Sequence, residues 1–408
     1  MASLVKRLEK LIDNKIVSEA KEAVYFTDEP KFPQFFCEPL GAISEEQYGS
    51  SLDLNKETAK IKAIGEAVER YCSEKIDETR LLISSYEEIK ESALDPTEFI
   101  NFSNNFLNKK KENYRKKIKE SELSWIEGYH LNSKENILIP AQLVYSDFDI
   151  SKEPIIRLPI STGAAFGLDK NSTIDRGIHE IIERDNFMIS WLSKRKCPLI
   201  NLEKNNLYDL KEYFERYRLE PYVFDIRIDN NVPSMLGILI DRTGIGPAVS
   251  TGLSSDLNAK KATINSLLEA QHVRGWVRFS HIKDGHPKIN NPKQILNMKS
   301  RGYYWYPTKR IKDLEFLLNS SEVKDISTEN SSIERESLSK YLMSNNFDIF
   351  TVDISIPNIK TEGFRVIKTI IPQFHPLYLG EDIPYHYSSR LLETFKGGEI
   401  NKVPHPFL

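Results

Sequence analysis

The sequence has few of the features that would place it outside the ordinary globular proteins. It carries only three cysteines, Cys37, Cys72 and Cys197, and none stands at the short spacing of a zinc knuckle or a redox dithiol. No apolar run reaches the length of a membrane span, and residues 1–7 lack the apolar core of a signal peptide. We therefore expect a cytoplasmic protein without disulfides or structural zinc.

Two other features are also missing, a strong positive charge and a phosphate-binding loop. The formal net charge is −3, so no overall positive field draws in nucleic acid. The one basic run, at 109–119, is interleaved with glutamates, which is typical of a solvated helix face. No Gly-x-x-x-x-Gly-Lys-Ser/Thr loop occurs anywhere. We expect neither a nucleic-acid partner nor a membrane partner.

What the sequence does contain is one pattern present three times. A Gly-containing turn leads through a polar stretch into an amphipathic helix that carries a glutamate. The glutamate follows the glycine by 17 residues in each copy, in the pairs Gly49 and Glu66, Gly163 and Glu180, and Gly252 and Glu269. Strand-like runs at 222–228, 234–240, 349–356 and 363–370 lie between and after these helices. The sequence predicts an α/β (α+β) fold of mixed sheets packed by helices, built on an internally repeated strand-turn-helix unit.

Polar residues near the start of each repeated helix predict its N-cap. Asn55 is expected to cap the first helix, Ser172 with Asp175 the second, and Ser255 or Asp256 the third. No shift in composition marks a domain boundary, so we expect one compact domain over 1–408. Within it we distinguish an N-terminal segment at 1–45 considered for partner contact, a peripheral lysine-rich insertion at 84–122, a loop at 319–334 and a proline-containing tail at 400–408.

Two of the three helices carry the motif Glu-x-x-Glu-Arg, formed by Glu66, Glu69 and Arg70 in the first and by Glu180, Glu183 and Arg184 in the second. Positions i and i+3 of a helix share a face, so each pair presents two like charges that a hard cation such as Mg²⁺ would compensate. The arginine adds a planar donor fork for phosphate oxygens. A single motif of this kind is usually an exposed, salt-bridged helix; two copies in a duplication favour a nucleoside triphosphate site. The residues alone do not choose Mg²⁺ over Ca²⁺ or Mn²⁺.

The third helix departs from the other two. It reads Glu-Ala-Gln-His-Val-Arg over 269–274, so histidine replaces the second carboxylate. We expect Gln271 or Arg274 to contact phosphate or adenine, and we do not expect this helix to supply a full pair of metal ligands. Cys72 is interpreted as packed core, and His281 and His286 as surface residues.

These blocks resemble the YcaO family. The resemblance rests on 64–71, on 161–167 followed by 180–185, and on 269–274, and it is reinforced by 375–380 and 404–408. The blocks extend over nearly the whole chain in the family's order. The resemblance implies a YcaO-type fold, the use of ATP with Mg²⁺, and the activation of a peptide amide.

The resemblance also implies roles for individual residues. It assigns the metal ligands to Glu66, Glu69, Glu180 and Glu183. It assigns ATP contacts to Lys62, Arg70, Arg184, Gln271 and Arg274. The chain's end is similar to the Pro-x-Pro-x-Pro tail of azoline-forming members, without its final proline, and this likeness gives a catalytic role to Pro404, Pro406 and Leu408. Prolines stiffen an extended tail so that it is placed accurately, whereas a frayed terminus is the alternative.

The implied activity is that of an ATP-dependent cyclodehydratase. Backbone amides of a ribosomal precursor peptide would be phosphorylated so that Cys, Ser or Thr side chains form thiazoline or oxazoline rings, as in bacteriocin and antibiotic biosynthesis. A thioamide- or amidine-forming YcaO enzyme and a non-catalytic ATP-binding scaffold are the alternatives. The expected partners are a precursor peptide with its leader, a leader-binding protein in a heteromeric complex, and a flavin dehydrogenase; a homodimer within that complex is among the expected assemblies.

Overall fold

The structure, a computed structural model, describes residues 2–23, 26–43, 47–103, 107, 111–228, 231–326, 337–395 and 399–408. The helices in these ranges are α1 (Ala2–Asp13), α2 (Lys56–Glu74), α3 (Tyr86–Ile89), α4 (Lys111–Glu120), α5 (Lys170–Leu192), α6 (Tyr208–Arg216), α7 (Ala259–Lys283), α8 (Met298–Tyr304), α9 (Glu315–Leu318), α10 (Leu338–Ser344), α11 (Pro357–Thr361) and α12 (Ser389–Phe395).

The strands of the described ranges form three sheets. They are β1 (Lys21–Glu22), β2 (Gln34–Cys37), β3 (Gly49–Leu52), β4 (Leu81–Ser85), β5 (Glu122–His130), β6 (Glu135–Pro140), β7 (Ala164–Gly167), β8 (Leu199–Ile200), β9 (Leu219–Asp225), β10 (Ser234–Asp241), β11 (Val249–Ser255), β12 (Val323–Lys324), β13 (Phe350–Asp353) and β14 (Arg365–Ile370). Short 3₁₀ turns lie at Glu78–Arg80, Pro96–Phe99, Ala141–Leu143, Pro292–Gln294 and Thr308–Leu314.

Internal contacts divide the chain into two units. The first comprises Met1–Ala23, Pro33–Ile181 and Glu336–Phe374, and the second comprises Val24–Phe32, Ile182–Arg335 and His375–Leu408. The prediction of one domain over 1–408, with 1–45 as a segment for partner contact, stays a prediction.

The first unit contains two antiparallel sheets and helix α2. One sheet has the order β1-β2-β3, and the other has the order β4-β5-β13-β14-β7 with β6 paired to β5. Helix α2 packs against β2, β3 and β7 through small and branched side chains, among them Ala59, Ala63, Ala67 and Val68. Alanine at these positions lets a helix lie close to a strand, which matters for the site described below.

The second unit is built on the sheet β11-β10-β9-β8-β12, antiparallel except for the parallel pair β8 and β12. Helix α7 packs against β10 and β11, and every residue of β10 is buried. The strand predicted at 234–240 is confirmed, whereas the one predicted at 222–228 begins and ends three residues earlier, at Leu219 and Asp225. Mixed sheets packed by helices, with the repeated order strand, turn and helix, are thus confirmed.

The predicted cap of α2 is confirmed, whereas the predicted cap of α7 is wrong. Asn55 caps α2 as predicted, because its side-chain oxygen accepts the backbone N–H three residues later at 3.0 Å. Helix α7 is capped by Asn258 in the same way at 2.9 Å, and not by Ser255 or Asp256. Asp256 instead accepts the N–H of Asn258 at 2.9 Å, which forms the turn before the helix.

The cap predicted for α5 is wrong. Asp169, directly before the helix, accepts the N–H of Ser172 at 2.9 Å, so Ser172 already lies inside the first turn. Asp175 does not take part in a capping box. Its carboxylate accepts the N–H of Ser339 at 3.0 Å and so ties α5 to the start of α10 within the first unit.

The segments predicted to be peripheral are only partly described. In the basic run at 109–119, residues 109 and 110 lie outside the described residues, and the rest is part of α4, where Ile118 is buried. In the predicted loop at 319–334, residues 327–334 lie outside the described residues, and Val323–Lys324 form β12. None of the helices in the described ranges combines the length and the apolar character that crossing a membrane requires.

Candidate functional site

The repeat begins with a glycine pressed against the helix that follows it. At Gly49, a Cβ atom would overlap the backbone of Ala63 and Ala67 in α2. At Gly252, a Cβ atom would overlap the backbone of Ser266 and Ala270 in α7. In both copies the contacts lie 14 and 18 residues after the glycine, so the two copies have the same geometry.

The second copy uses the same spacing in a more strained turn. Gly163 has φ +84°, a conformation that glycine adopts most readily, and a Cβ there would overlap the carbonyl of Thr369 and crowd Ile181, 18 residues on. Gly177, 14 residues on, faces the carbonyl of Gly163. The glycine-to-glutamate spacing of the sequence therefore reflects one packing arrangement used three times.

The same arrangement fixes the first glutamate of each motif. Glu66 accepts the backbone N–H of Ser50, the residue after Gly49, at 2.8 Å. Glu180 accepts the backbone N–H of Gly163, also at 2.8 Å. A carboxylate has about four acceptor positions, so one such bond orients the group and leaves oxygen lone pairs for a cation. All four motif glutamates are half-buried, at the boundary between core and solvent.

Arg70 acts on the neighbouring carboxylate. Its Nε and Nη2 donate to Glu66 Oε1 at 3.1 and 2.8 Å, and both side chains are 31% exposed. Lys62, on the exposed side of α2, pairs with Asp53 at 2.6 Å. The structure therefore places Arg70 beside Glu66, whereas Lys62 has a carboxylate partner of its own. The ATP contacts predicted for Lys62 and Arg70 stay predictions.

The second carboxylate of α5 is held within the second unit. Glu183 accepts the backbone N–H of Ser255, at the end of β11, at 2.9 Å. Arg184 lies over the ring of Phe407 with its guanidinium carbon 5.9 Å from the ring centre. Phe407 therefore lies beside Arg184, the residue that directly follows the predicted metal ligand Glu183. The roles predicted for Glu183 and Arg184 stay predictions.

In the third copy, the two residues predicted to contact ATP are buried in an ionic cluster. Arg274 donates to Glu29 at 2.9 Å, to Asp241 at 2.8 Å and to the carbonyl of Pro247 at 2.8 Å. Gln271 donates to Glu29 at 3.1 Å. Side chains of Arg274 and Glu29 are both 4% exposed. These contacts give the two residues a structural role, and their predicted nucleotide contact stays a prediction.

The proline-containing tail is packed against the second unit, and a frayed terminus is therefore wrong. Pro404 and Pro406 are buried, Phe407 is buried against Phe187 with ring centres 5.7 Å apart, and Leu408 is half-buried. An ordered end next to α5 is compatible with the catalytic role predicted for Pro404, Pro406 and Leu408, which stays a prediction.

Sequence reasoning missed two buried charges. Asp185, directly after the second motif, accepts Arg390 Nε at Oδ1 at 3.2 Å and Arg390 Nη2 at Oδ2 at 2.8 Å, and it also accepts the N–H of His375 at 2.7 Å. Lys368 of β14 is 2% exposed and donates to the carbonyl of Ile160 at 2.6 Å, next to the turn that carries Gly163. Asp185 could have been noticed because it directly follows the second motif. The strand pattern around Lys368 contains no sign that this lysine is buried.

The interpretation of the cysteine and histidine candidates is partly corrected. Cys72 is buried, and burial raises the pKa of its thiol to about 12, which suits packed core and not a nucleophile. His286 is exposed as expected. His281 is not a surface residue, because its ring is stacked on Tyr306 at 3.9 Å and its Nδ1 lies 3.2 Å from that of His286.

The carboxylates fit a metal that is shared with phosphate. Across the described ranges, no group of three or more His, Cys, Asp or Glu side chains is arranged to hold a metal ion. Mg²⁺ takes oxygen ligands and is commonly held by one or two carboxylates together with substrate phosphates and water. Pairs of oriented glutamates such as Glu66 and Glu69 have the donor chemistry that this kind of site needs.

The fold and these glutamates define a class, a mixed α/β chain whose repeated helices carry acidic pairs suited to a metal-bound nucleotide. The chain matches the model of YcaO cyclodehydratases, described as ATP- and Mg²⁺-binding, over residues 53–375. It therefore belongs to the YcaO family.

Solved structures have the same fold. A heterocyclase in complex with substrate and cofactor is 16% identical, with a TM-score of 0.75 over 98% of this chain and 57% of that chain. YcaO from Methanopyrus kandleri, bound with AMPPCP and Mg²⁺, is 17% identical, with a TM-score of 0.64 over 91% and 90%. The E. coli microcin synthetase McbBCD complex is 18% identical, with a TM-score of 0.62 over 87% and 88%. This chain thus spans little more than half of the first of these proteins.

Proposed function

We propose that this chain is the ATP-dependent subunit that forms thiazoline or oxazoline rings in a ribosomal precursor peptide. The observation that carries the proposal is the combination, in one YcaO chain, of helix glutamates oriented by backbone N–H groups and an ordered proline-containing terminus. Glu66 and Glu180 illustrate the first feature, and Phe407 under Arg184 the second. Relatives whose structures are heterocyclases support it further.

The proposed chemistry replaces a poor leaving group with a good one. A Cys thiol, or a Ser or Thr hydroxyl, adds to the carbon of the preceding backbone carbonyl and loses its proton. The carbonyl oxygen becomes an oxyanion, attacks the γ-phosphorus of ATP and releases ADP. The ring nitrogen then loses its proton, the C–O bond breaks and inorganic phosphate leaves with the former carbonyl oxygen. Each cyclisation removes the atoms of one water molecule from the peptide, and ATP becomes ADP and phosphate.

In this proposal the motif glutamates bind the metal, and neighbouring donors orient them. Glu66, Glu69, Glu180 and Glu183 would hold Mg²⁺, which neutralises charge on the phosphates during transfer. Arg70 keeps the Glu66 carboxylate oriented, through the two hydrogen bonds already described. The N–H groups of Ser50 and Gly163 do the same from the strand side. A carboxylate held by fixed donors needs no rearrangement when a cation binds.

We further propose that the chain works with other proteins. A precursor peptide with a leader is the substrate, and a separate leader-binding protein captures it. A flavin dehydrogenase that oxidises azolines to azoles would act after this step. The E. coli microcin synthetase relative is a complex, McbBCD, and was also solved with pro-MccB17 bound, which supports a peptide substrate and a partner protein in general.

Mass spectrometry of a modified peptide tests the proposal. A Cys-, Ser- and Thr-rich peptide encoded beside this chain is incubated with the protein, its neighbouring leader-binding protein, ATP and Mg²⁺. We expect the loss of one water for each modified residue. Exchange of oxygen for sulfur would instead identify a thioamide-forming enzyme, and ATP binding without turnover or mass change would identify a scaffold.

An isotope experiment tests where the amide carbonyl oxygen goes in the reaction. The same peptide, labelled with ¹⁸O at the amide carbonyl that precedes a reactive cysteine, is converted in unlabelled water. If the carbonyl oxygen attacks the γ-phosphorus, the label leaves in inorganic phosphate. Unlabelled phosphate alongside a ring-containing product would contradict amide phosphorylation.

A further inference from the structure

The last residues of the chain cross the second unit as an extended segment that is bound residue by residue. Asn401 donates its backbone N–H to the carbonyl of Leu192 at 2.8 Å and its side-chain amide to that of Trp191 at 3.1 Å. Two residues later, Val403 accepts the indole N–H of Trp191 at 2.9 Å. The C-terminal end of α5 thus holds the beginning of the tail.

Prolines make this packing possible without a partner strand. A buried extended segment normally leaves backbone N–H groups unsatisfied, at a cost of about 1–3 kcal/mol for each. Pro404 and Pro406 have no N–H group, and both are buried. The carbonyl groups of the alternate residues, Val403 and His405, both accept hydrogen bonds from the unit. The sequence Val-Pro-His-Pro therefore suits a buried tail that is held through its carbonyl oxygens.

The carbonyl of His405 is held by a fully buried arginine. Arg301 of α8 is 0% exposed, and its Nη1 donates to that carbonyl at 2.9 Å. Its other donors bind the carbonyl of Leu379 at 2.5 and 3.1 Å and the carboxylate of Glu381 at 2.8 Å. One guanidinium therefore joins the terminal tail to the segment 379–381, and the planar fork has a partner on each side.

The imidazole of His405 adds a second anchor. Its Nε2 lies 2.6 Å from the carbonyl of Tyr378, and since a carbonyl can only accept, Nε2 carries the proton. The ring of Tyr378 packs edge-on against His405 with centres 5.2 Å apart. Pro406 follows His405; it fixes its own φ and restricts the backbone of His405, so the segment that leads to Phe407 is stiff.

The tail ends beside the site on α5. Phe407 packs against Phe187 and lies under Arg184, which directly follows Glu183. At the other side, a Cβ atom at Gly302, next to Arg301 in α8, would lie 3.4 Å from Leu408 Cδ1. The missing Cβ makes room for Val277, and the Leu408 side chain lies at ordinary contact distance beside the residue that anchors the tail.

We propose that Arg301 is a positioning residue for ring formation, which acts by fixing the C-terminal tail relative to Glu183 and Arg184. The inference rests on the proposed function, because it gives the placement of the tail a purpose in that reaction. The contacts of Arg301 are with the carbonyl groups of Leu379 and His405 and with Glu381, so in this proposal it acts through the tail. Its loss lowers kcat for ring formation and leaves the KM for ATP unchanged, because the tail is displaced and the nucleotide ligands are not.

The first test measures the tail itself, without any peptide substrate. Carboxypeptidase A removes aliphatic and aromatic C-terminal residues and stops at proline, so release of Leu408 and Phe407 reports how often the tail is free. We expect Arg301→Met to accelerate this release by roughly tenfold or more, since a buried charge-assisted hydrogen bond is lost. Glu381→Gln is the matched control, because it breaks the same ion pair but keeps the bond from Arg301 to His405. Equal release rates from both variants overturn the proposal.

The second test measures ring formation with the complete system. Arg301→Met and deletion of Leu408 should each lower kcat, and combining them should lower it little further, because both act through the position of the tail. Arg301→Lys should recover part of the lost rate, since lysine keeps one donor for the carbonyl of His405. Fully additive effects, or a raised KM for ATP as the main change, overturn the proposal. If the wild-type chain forms no rings, the proposed function fails, and the carboxypeptidase result still decides whether Arg301 holds the tail.

Discussion

Helices α2 and α7 start from the same geometry and lead to different environments. Each follows a strand glycine whose missing Cβ lets the helix backbone approach, at Gly49 in the first unit and Gly252 in the second. In α2 the motif glutamate and its arginine form a pair that is 31% exposed. In α7 the arginine, Arg274, follows Glu269 by five residues and not four, and its side chain is 4% exposed and bound to Glu29 and Asp241.

The difference shows that packing and chemistry are separate properties of the repeat. The glycine contact is needed wherever the helix lies on its strand, so it persists in all three copies. In the proposed function the second carboxylate is needed only where a cation is held, and His272 occupies that place in α7. The arginine of α7 contributes to stability through buried charges, whereas Arg70 contributes to the orientation of Glu66.

The largest expected effect is a difference in ATP turnover between variants of α2 and variants of α7. Glu66→Gln should lower ATP turnover by roughly 10²–10³-fold, because it removes a charge that holds Mg²⁺ near the phosphates. Glu183→Gln should act similarly. Glu269→Gln, the matched change in the third copy, should have a much smaller effect. Phosphate release measured under saturating ATP and peptide decides this, and an equal loss in all three variants would show that α7 is as active in catalysis as α2.

The free energy of unfolding should depend more on Arg274 of α7 than on Arg70 of α2. Arg274→Met leaves Asp241 buried without this cation and leaves Glu29 paired with Arg278 alone, and we expect the free energy of unfolding to fall by about 3–5 kcal/mol. Arg70→Met breaks a partly exposed pair, which is worth about 0–1 kcal/mol. Urea unfolding followed by circular dichroism provides both values. Similar losses in the two variants would remove the proposed contrast between a buried and an open repeat.

Alanine at the repeat glycines should destabilise both units alike. Gly49→Ala and Gly252→Ala each force a Cβ into helix backbone, which costs about 1–3 kcal/mol or more. Gly49→Ala should in addition lower ATP turnover, because it displaces Ser50 from Glu66. Thermal unfolding and phosphate release, measured on the same samples, test the two parts. A wild-type melting temperature in either variant would contradict the packing described for that copy.

Acidification should weaken the buried region around the tail. Burial, and then the charge of Arg301, keep the pKa of His405 well below 6.5 in the folded chain. Below about pH 6.5 the unfolded chain therefore binds a proton that the folded chain does not, and unfolding free energy falls by up to about 1.4 kcal/mol per pH unit. His405→Asn removes this contribution. Urea titrations at pH 7 and pH 5 should show a smaller difference for the variant, and identical pH slopes would mean that His405 is protonated in the fold.

The smallest effect concerns a glycine that has no packing role. Gly275, in the middle of α7, has no atom within 4 Å of where a Cβ would lie. Gly275→Ala should therefore stabilise the protein by about 0.5–1 kcal/mol, in contrast to Gly252→Ala in the same unit. The midpoint of urea unfolding measures this gain. A destabilised variant would indicate that the space beside Gly275 is used.

The placement of Glu66 and Glu180 was predictable from the sequence because the geometry around them repeats. A fixed spacing from glycine to glutamate is forced by one strand-to-helix contact, so it survives in three copies and predicts both the fold and Glu66 and Glu180. Helix caps were harder to predict from the sequence. Several polar residues precede α7, and only the backbone conformation determines that Asn258 is the N-cap. Arg274 could not be assigned, since its partner Glu29 is 245 residues away and no local pattern marks the pair. Arg301 and His405, 104 residues apart, were missed for the same reason.

Binding of the non-hydrolysable analogue AMPPCP, measured by titration calorimetry with and without Mg²⁺, tests the central claim most directly. The account predicts Mg²⁺-dependent binding to the wild-type chain, its loss in Glu66→Gln, and its retention in Glu269→Gln. Binding that is equally strong in Glu66→Gln, or independent of Mg²⁺, would contradict the assignment of the metal-bound nucleotide to the paired glutamates.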